Sequence, residues 1–313
     1  MTRPASPEAP RVGERAGALQ RRLGFRPPLD PSNLYGHLAA TAVPGVEEWA
    51  QGAYRAAVRL PHGAAVIEVG LPDGDEVPVE LRLEDPRDED EALRRVRRTF
   101  DLDLDPSAMA AVLEADPVLA PLVAAAPGRR VPGTLDPAAM VLRAVLGQQV
   151  STAAARTHAA RLVAAFGRPL PTPSGGLTRL FPEAAALAAE PERVAEVARL
   201  PRTRIRTLLV VATALADGAV DLGDEPAAVR AALLALPGIG PWTADTVLMR
   251  ALGDRDAFLP ADLGVVLAAR RLGLPDRPRE LDARSRRWSP YRASAVQYLW
   301  TTGVHAVNTL PVD

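Results

Sequence analysis

The chain has 313 residues, 48% of them hydrophobic, and a formal net charge of −1, a size that suits about two domains with a substantial core. It has no cysteine and all 37 basic residues are arginine, which excludes disulfides, thiolate metal sites, cysteine nucleophiles and lysine Schiff bases. Residues 1–130 carry a net charge of −5 and residues 131–313 one of +4, which is compatible with an anionic partner at the second half.

The first hundred residues predict a tail and a small α+β domain. Residues 1–17 are polar and rich in proline, which favours a flexible tail. No segment reads as a signal peptide or a membrane span, so we expect a cytoplasmic protein. An extended piece from Leu19 is followed by a Pro-Pro break and a helix that Asp30 or Ser32 could cap. Three segments with strand patterns follow, separated by turn residues: YRAAVRL, GAAVIEVGL and VPVELRLE.

The rest of the chain predicts helices. The segment RDEDEALRRVRRTF begins acidic and ends basic, as suits a helix that closes the α+β domain. No strand signal of similar quality occurs after Leu102. Breaks such as GRPLPTPSGG and LGLPDRPRE separate helices predicted at about residues 106–114, 136–148, 152–166, 182–198, 203–216, 226–235, 241–252, 263–272 and 290–303. We therefore expect a tail (1–17), an α+β domain with a small antiparallel sheet (18–100) and an all-helical domain (101–313).

The stretch LPGIGPWTA (Leu236–Ala244) lies between two of these helices. Gly238 and Gly240 permit a positive φ or a close backbone approach, and Pro241 suits the first turn of the next helix. The free N–H groups at such a helix start bind anions such as a DNA phosphate, and they need no net positive charge on the protein. An ordinary turn between helices explains the same residues, so this stretch alone leaves both interpretations open.

A resemblance to a known family begins at this stretch. LPGIGPWTADTVLMRALGDRDAFLPADLGVV resembles the hairpin and acidic loop of the helix-hairpin-helix DNA glycosylase superfamily, and within it the inducible bacterial 3-methyladenine-DNA glycosylases. Further segments resemble other landmarks of that family in the same order: RPPLDPSNLYGHLAATAVPGVEEW, FDLDLDP, LDPAAMVLRAVLGQQVSTAAA and RWSPYRASAVQYLWTTG. The likeness covers roughly residues 19–304. It implies an enzyme that flips alkylated bases from duplex DNA and hydrolyses the N-glycosidic bond, leaving an abasic site for base excision repair.

The resemblance assigns catalysis to Asp262, in the segment FLPADLGVV. Breaking the glycosidic bond leaves a cationic sugar that a carboxylate stabilises, and an alkylated base is already cationic, so it leaves without a strong general acid. Asp262 is also the expected N-cap of the next helix, and the two roles are compatible because a capping side chain is held rigidly. The nearby alternative carboxylates are Asp245 and Asp254.

The same resemblance implies the residues that hold the flipped base and the DNA. The base pocket would use Trp242, Trp300, Thr246 and Leu263; for the two tryptophans, core packing is the alternative. Gln148 would reach into the minor groove and Gln149 stands where the family has an apolar wedge, with a polar helix end as the alternative. Phosphate would be held by the backbone at Gly238, Gly240 and Thr243. The arginines of LPRTRIRTLL and RRLGLPDRPRE would be phosphate contacts or solvated helix faces.

Cofactor and partner expectations follow from the same comparison. Carbonyls around Leu234, Leu236 and Ile239 would hold a structural Na⁺ or K⁺ ion, and no other cofactor is expected. Relatives that nick DNA carry a lysine where this chain has Trp242, so we expect a monofunctional enzyme without lyase activity. The expected partner is double-stranded DNA with alkylated bases such as 3-methyladenine and 7-methylguanine, with no membrane and no obligate protein partner. Two alternatives stay open: a non-catalytic DNA-binding module, and a glycosylase for deaminated or oxidised bases.

Overall fold

The computed structural model describes residues 17–303 and 305–312. The predicted tail therefore lies outside the described residues, apart from Gly17. The predicted fold class is confirmed: a small antiparallel sheet with helices precedes a larger, mainly helical part. None of the helices in the described ranges is long and apolar enough to cross a bilayer.

A five-stranded antiparallel sheet with the order β1-β5-β4-β3-β2 forms the first part. Its strands are β1 (Leu19–Gly24), β2 (Glu47–Ala50), β3 (Ala53–Arg59), β4 (Ala64–Gly70) and β5 (Glu76–Leu83). The three predicted strand segments form β3, β4 and β5, and the extended piece forms β1. The sequence did not reveal β2, because four residues of an edge strand are too short to show a period.

Two helices, α1 (Ser32–Thr41) and α2 (Glu89–Thr99), pack on one face of this sheet. Leu34, Tyr35 and Val96 from these helices lie in one core cluster with Ile67 and Leu81 of the strands. The Asp30 side chain accepts a hydrogen bond from the Ser32 N–H at 2.9 Å, one residue before the usual capping position. Ser32 itself is the first residue of α1, so its prediction as a cap is wrong.

The helical part contains twelve further α-helices in the described residues, two of them on either side of Glu190. They are α3 (Pro106–Leu113), α4 (Ala120–Ala125), α5 (Pro137–Leu146), α6 (Thr152–Phe166), α7 (Ala184–Ala189), α8 (Pro191–Ala198), α9 (Arg202–Ala216), α10 (Pro226–Leu234), α11 (Pro241–Val247), α12 (Leu263–Arg271), α13 (Pro278–Ser285) and α14 (Arg292–Trp300). A π-helical turn, Leu248–Leu252, continues α11.

Three of the predicted helix and strand assignments are wrong, and α4 was not predicted at all. The single helix at 182–198 is two helices, because Pro191 has no N–H to donate and begins a new helix. The segment LGLPDRPRE is not only a break, since Pro278 serves as the first residue of α13. Strands do occur after Leu102: β6 (Pro169–Ser174) pairs with β7 (Leu177–Arg179). Alternate prolines in β6 hid the strand signal, and a strand rich in proline suits an edge.

Two hydrophobic clusters build the helical part. One is formed mainly by α5 to α11 and includes Leu142, Leu208 and Val247. The other joins α3 and α4 to the π-helical turn and α12 to α14, and it includes the fully buried Met109 and Trp288. The connection from α10 to α12 passes from the first cluster to the second. Ile239 and Ala244 of the stretch LPGIGPWTA belong to the first cluster, and the loop that carries Asp262 contributes Leu259 to the second.

Candidate active site

Asp262 lies at the end of a loop and caps α12, as the sequence predicts. Its Oδ1 accepts a hydrogen bond from the Val265 N–H at 3.1 Å. The same oxygen accepts the indole N–H of Trp300 at 2.8 Å, and Oδ2 accepts the indole N–H of Trp242 at 3.0 Å. Three donors from three different elements fix the orientation of this carboxylate. The two tryptophans predicted to hold a base are therefore also the residues that position Asp262.

A cavity of about 250 Å³ opens beside this carboxylate. It is somewhat smaller than the roughly 300–1,000 Å³ of sites for drug-sized ligands. Trp242, Thr246, Trp300 and Asp262 form one end, and side chains from α1, α5 and α6 form the other. The Thr246 hydroxyl donates to the Trp242 carbonyl at 2.6 Å. Leu263 is 72% exposed and lies outside the cavity lining, so the predicted pocket position is not part of this cavity.

Arg250 also lines the cavity, and no motif in the sequence singles it out. It is 3% exposed, and its guanidinium lies 5.4 Å from the centre of the Trp300 ring, with Nη1 donating to the Pro132 carbonyl at 2.5 Å. Burial lowers the pKa of Arg250 to about 9, an effect that the charge of Asp262 opposes. Its guanidinium therefore supports Trp300 through a cation–π contact. One arginine among 37 carries no distinguishing signal in the sequence.

His37 of α1 also lines the cavity and was not predicted. Burial, together with the positive charges of Arg250 and Arg143, holds the pKa of His37 well below its usual value. The imidazole is therefore neutral at neutral pH and adds no positive charge to the cavity. Its distance along the chain from the hairpin explains why no local motif pointed to it.

The alternative carboxylates lie elsewhere. Asp245 forms an ion pair with Arg230 at 2.6 Å, and Asp254 accepts a hydrogen bond from the Asp256 N–H at 2.8 Å. Neither lines the cavity beside Trp242 and Trp300. Of the three aspartates that the sequence offered, the structure brings only Asp262 to the cavity.

The hairpin turn, residues 235–240, joins α10 to α11. Gly238 has a φ of +87°, and an added Cβ would lie 2.0 Å from the Thr207 Oγ1, so both conformation and space require glycine. The N–H groups of Gly238 and Gly240 donate to no acceptor in the described part of the chain. The Thr243 N–H, by contrast, donates to the Gly240 carbonyl at 3.1 Å. The prediction that the Thr243 N–H is free to bind a phosphate is therefore wrong. The N–H groups of Gly238 and Gly240 are free, as predicted.

The two glutamines after α5 differ in their surroundings. The Gln148 side-chain amide donates to the Gly238 carbonyl at 3.2 Å and to the Thr243 hydroxyl at 3.0 Å. Gln148 thus braces the hairpin turn. Gln149 is exposed and has a φ of +53°, an uncommon conformation for a residue other than glycine. Of the two, Gln149 has the side chain that is free to reach toward a partner.

Gly264 at the start of α12 was also missed, although it borders both Asp262 and Trp300. A Cβ added there would lie 2.9 Å from the Trp300 Cδ1, 3.0 Å from its Nε1 and 3.2 Å from the Asp262 Oδ1. Only a residue without a side chain lets the indole approach the carboxylate this closely.

For the base release that the sequence resemblance implies, we expect the substitution Gly264→Ala to slow the reaction by roughly tenfold to a hundredfold, because it displaces Trp300 from its charged hydrogen bond. Single-turnover release from damaged duplex DNA measures this effect. The matched control is Gly24→Ala in β1, where the added methyl group meets its nearest atom at 4.0 Å. Equal rates for the two variants would show that the Trp300–Asp262 contact is unimportant.

Comparisons with known proteins match nearly the whole chain. Residues 20–136 match the AlkA N-terminal domain, and residues 142–292 match the HhH-GPD superfamily of base excision DNA repair proteins. DNA-3-methyladenine glycosylase 2 of Escherichia coli is 30% identical over 90% of this chain and 96% of its own length. The probable bifunctional transcriptional activator/DNA repair enzyme AlkA of Mycobacterium tuberculosis is 48% identical over 95% of this chain. That match spans 59% of the mycobacterial protein, so the chain covers little more than half of its length.

Solved structures share the fold. A 3-methyladenine DNA glycosylase from Archaeoglobus fulgidus superimposes with a TM-score of 0.78 over 90% of this chain and 97% of its own, at 20% identity. An 8-oxoguanine glycosylase/lyase from Clostridium acetobutylicum, solved with double-stranded DNA, superimposes with a TM-score of 0.67 over 82% of this chain and 87% of its own, also at 20% identity.

Proposed function

The chain belongs to the HhH-GPD superfamily of base excision DNA repair proteins, in its AlkA branch, and on that premise we propose that it excises alkylated bases from duplex DNA. The observation that carries the proposal is the position of Asp262: its carboxylate borders the cavity and is held there by both cavity tryptophans. The products are a free base and an abasic site.

The chemistry needs little beyond these groups. The bond between C1′ and the base nitrogen breaks, and its electron pair leaves with the alkylated base, which becomes neutral. Asp262 stabilises the positive charge that develops on the sugar, while water attacks C1′ and loses a proton. Trp242 and Trp300 hold the extruded base against their ring surfaces while keeping the carboxylate oriented.

Binding of the DNA backbone is assigned to the hairpin turn. The unpaired N–H groups of Gly238 and Gly240, at the start of α11, would donate to a phosphate. Gln148 holds that turn in place, and Gln149 would fill the gap left by the extruded nucleotide.

A monovalent cation at the hairpin turn fits the donor set present. The carbonyls of Leu234, Leu236 and Ile239 are uncharged oxygen donors, as Na⁺ or K⁺ requires. The Leu236 carbonyl accepts one hydrogen bond, from the Ile239 N–H at 3.1 Å, and keeps a second lone pair. When bound, such an ion would supply positive charge next to the phosphate.

Strand cleavage is not part of the proposed activity. A lyase step needs an amine that attacks C1′, and the chain contains no lysine. We expect duplex DNA with a single 7-methylguanine to stay intact during base release and to break only after alkali treatment. Denaturing electrophoresis before and after alkali checks this expectation, and a band from cleavage without alkali would show a lyase.

The same duplex tests the proposed function. The expected result is alkali-dependent cleavage at the damaged position that grows with time and enzyme. Binding of this duplex without any abasic product would favour the alternative of a non-catalytic module. A matched duplex with hypoxanthine is the second substrate, because the Thr246 hydroxyl and the neutral His37 imidazole add hydrogen-bonding groups to the cavity beside the two tryptophans.

A further inference from the structure

Four arginines with no partner gather at one end of α9. Within eight residues lie Arg199, Arg202, Arg204 and Arg206. None of their guanidinium groups forms an ion pair or a hydrogen bond with a described residue. Three of them are exposed and Arg204 is half-buried. Only four other arginines in the described ranges share this state: Arg98, Arg279, Arg286 and Arg287. We call Arg199, Arg202, Arg204 and Arg206 the arginine cluster.

The arginine cluster borders the hairpin turn. Thr207, the next residue of α9, lies so close to Gly238 that an added Cβ would be 2.0 Å from its hydroxyl. Arg202 and Arg206 line a surface groove together with Leu236, a residue of the hairpin turn. The first turns of α9 therefore lie against the element that carries the free glycine amides.

The lack of carboxylate partners distinguishes this cluster from the other basic segments. In α2, where the chain also has several arginines, Arg94 and Arg95 form ion pairs with Glu91 at 2.8 and 2.6 Å. Like charges one helical turn apart destabilise a helix when nothing neutralises them. The net charge of the protein is −1, yet no carboxylate neutralises the positive charge of the arginine cluster. This arrangement indicates a binding partner that carries many negative charges.

We propose that the arginine cluster is a second DNA-backbone contact, extending the binding surface of the hairpin turn along the duplex. The proposal rests on the proposed function in naming duplex DNA as the partner. The guanidinium groups contact phosphate oxygens and therefore add affinity without sequence preference. They also supply local positive charge. The hairpin amides are uncharged, and the chain as a whole carries no net positive charge.

The test is the salt dependence of binding to undamaged duplex DNA, for the full chain and the double variant Arg202→Gln/Arg206→Gln. Each neutralised phosphate contributes about 0.9 to the slope of log affinity against log salt, so we expect the slope to become shallower by about 2. Between 50 and 200 mM salt, wild-type affinity would then fall about twelvefold more than that of the variant. Glutamine is a good helix former and both sites are exposed, so the fold is retained, which thermal unfolding checks.

The matched control is Arg286→Gln/Arg287→Gln, which removes two exposed arginines without partners next to α3 and α14. The proposal is overturned if the cluster variant keeps the wild-type slope, or if the control variant lowers the slope as much. Because the DNA is undamaged, base chemistry does not enter the measurement. A chain that binds through the cluster but releases no base would refute the proposed function and leave this contact standing.

Discussion

Replacing Asp262 with asparagine is expected to slow base release by a factor on the order of 10²–10³, the loss typical of one missing electrostatic group at the reacting centre. The substitution removes the negative charge that the proposed mechanism needs at C1′. It also turns one acceptor into an amide N–H₂ that faces an indole N–H, from Trp242 or Trp300. Asparagine still caps a helix, so α12 is retained. Single-turnover release from a duplex with one 7-methylguanine measures the loss.

The control for this prediction is Asp254→Asn, a carboxylate of the same region whose contact is a backbone N–H outside the cavity. Its rate of base release should stay within about twofold of wild type, since a substitution outside the cavity and the core usually changes stability only slightly. A rate for Asp262→Asn close to that of the control would place the catalytic group elsewhere.

The substitution Arg130→Met should lower the free energy of unfolding by about 4 kcal/mol, because it leaves several buried carbonyls without a donor. Arg130 is fully buried. Its guanidinium donates to the carbonyls of Leu104 at 2.9 Å, Arg26 at 2.6 Å and Pro28 at 3.1 Å, and also to that of Asp101 at 3.3 Å. It thereby joins the strand β1 region to the first residues of the helical part. Urea unfolding followed by circular dichroism measures the change.

Methionine fills much of the space of the arginine side chain, so the effect isolates the lost hydrogen bonds. Arg87→Met is the comparison, since Arg87 forms an exposed ion pair with Asp85 at 2.6 Å, and exposed ion pairs add little to stability. A loss for Arg130→Met as small as that of Arg87→Met would mean that water replaces the guanidinium.

The parts of the fold that depend on local pattern could be predicted from the sequence. Alternation in YRAAVRL and VPVELRLE gave β3 and β5, and apolar periodicity gave most helices to within a few residues. The failures have local causes as well. The prolines of β6 lack the N–H donors and the strand propensity by which a strand is predicted. Leu170 and Leu177 are nevertheless buried in one cluster with Ala57 and Val66 of the large sheet. That stabilisation comes from tertiary packing, which no local pattern reports.

The candidate site divides in the same way. The motif LPGIGPWTA predicted the glycine turn, and the likeness of the longer segment predicted that Asp262, Trp242 and Trp300 act together. It did not predict that both indole N–H groups bind the carboxylate itself. The sequence could not show that His37, Arg250 and Gly264 belong to the site. Each of them contributes through contacts with residues that are distant in the chain. Leu263, in contrast, has the right position in the sequence and an exposed place in the structure.

The most direct test of the central claim is the identity of what leaves the DNA. Duplex DNA treated with a methylating agent is incubated with the wild-type chain and with Asp262→Asn, and the soluble products are separated by chromatography. The proposed function predicts free methylated purine bases from the wild-type chain, with at most a trace from the variant. Methylated nucleotides instead of free bases, or no product from a wild-type chain that binds the DNA, would contradict it.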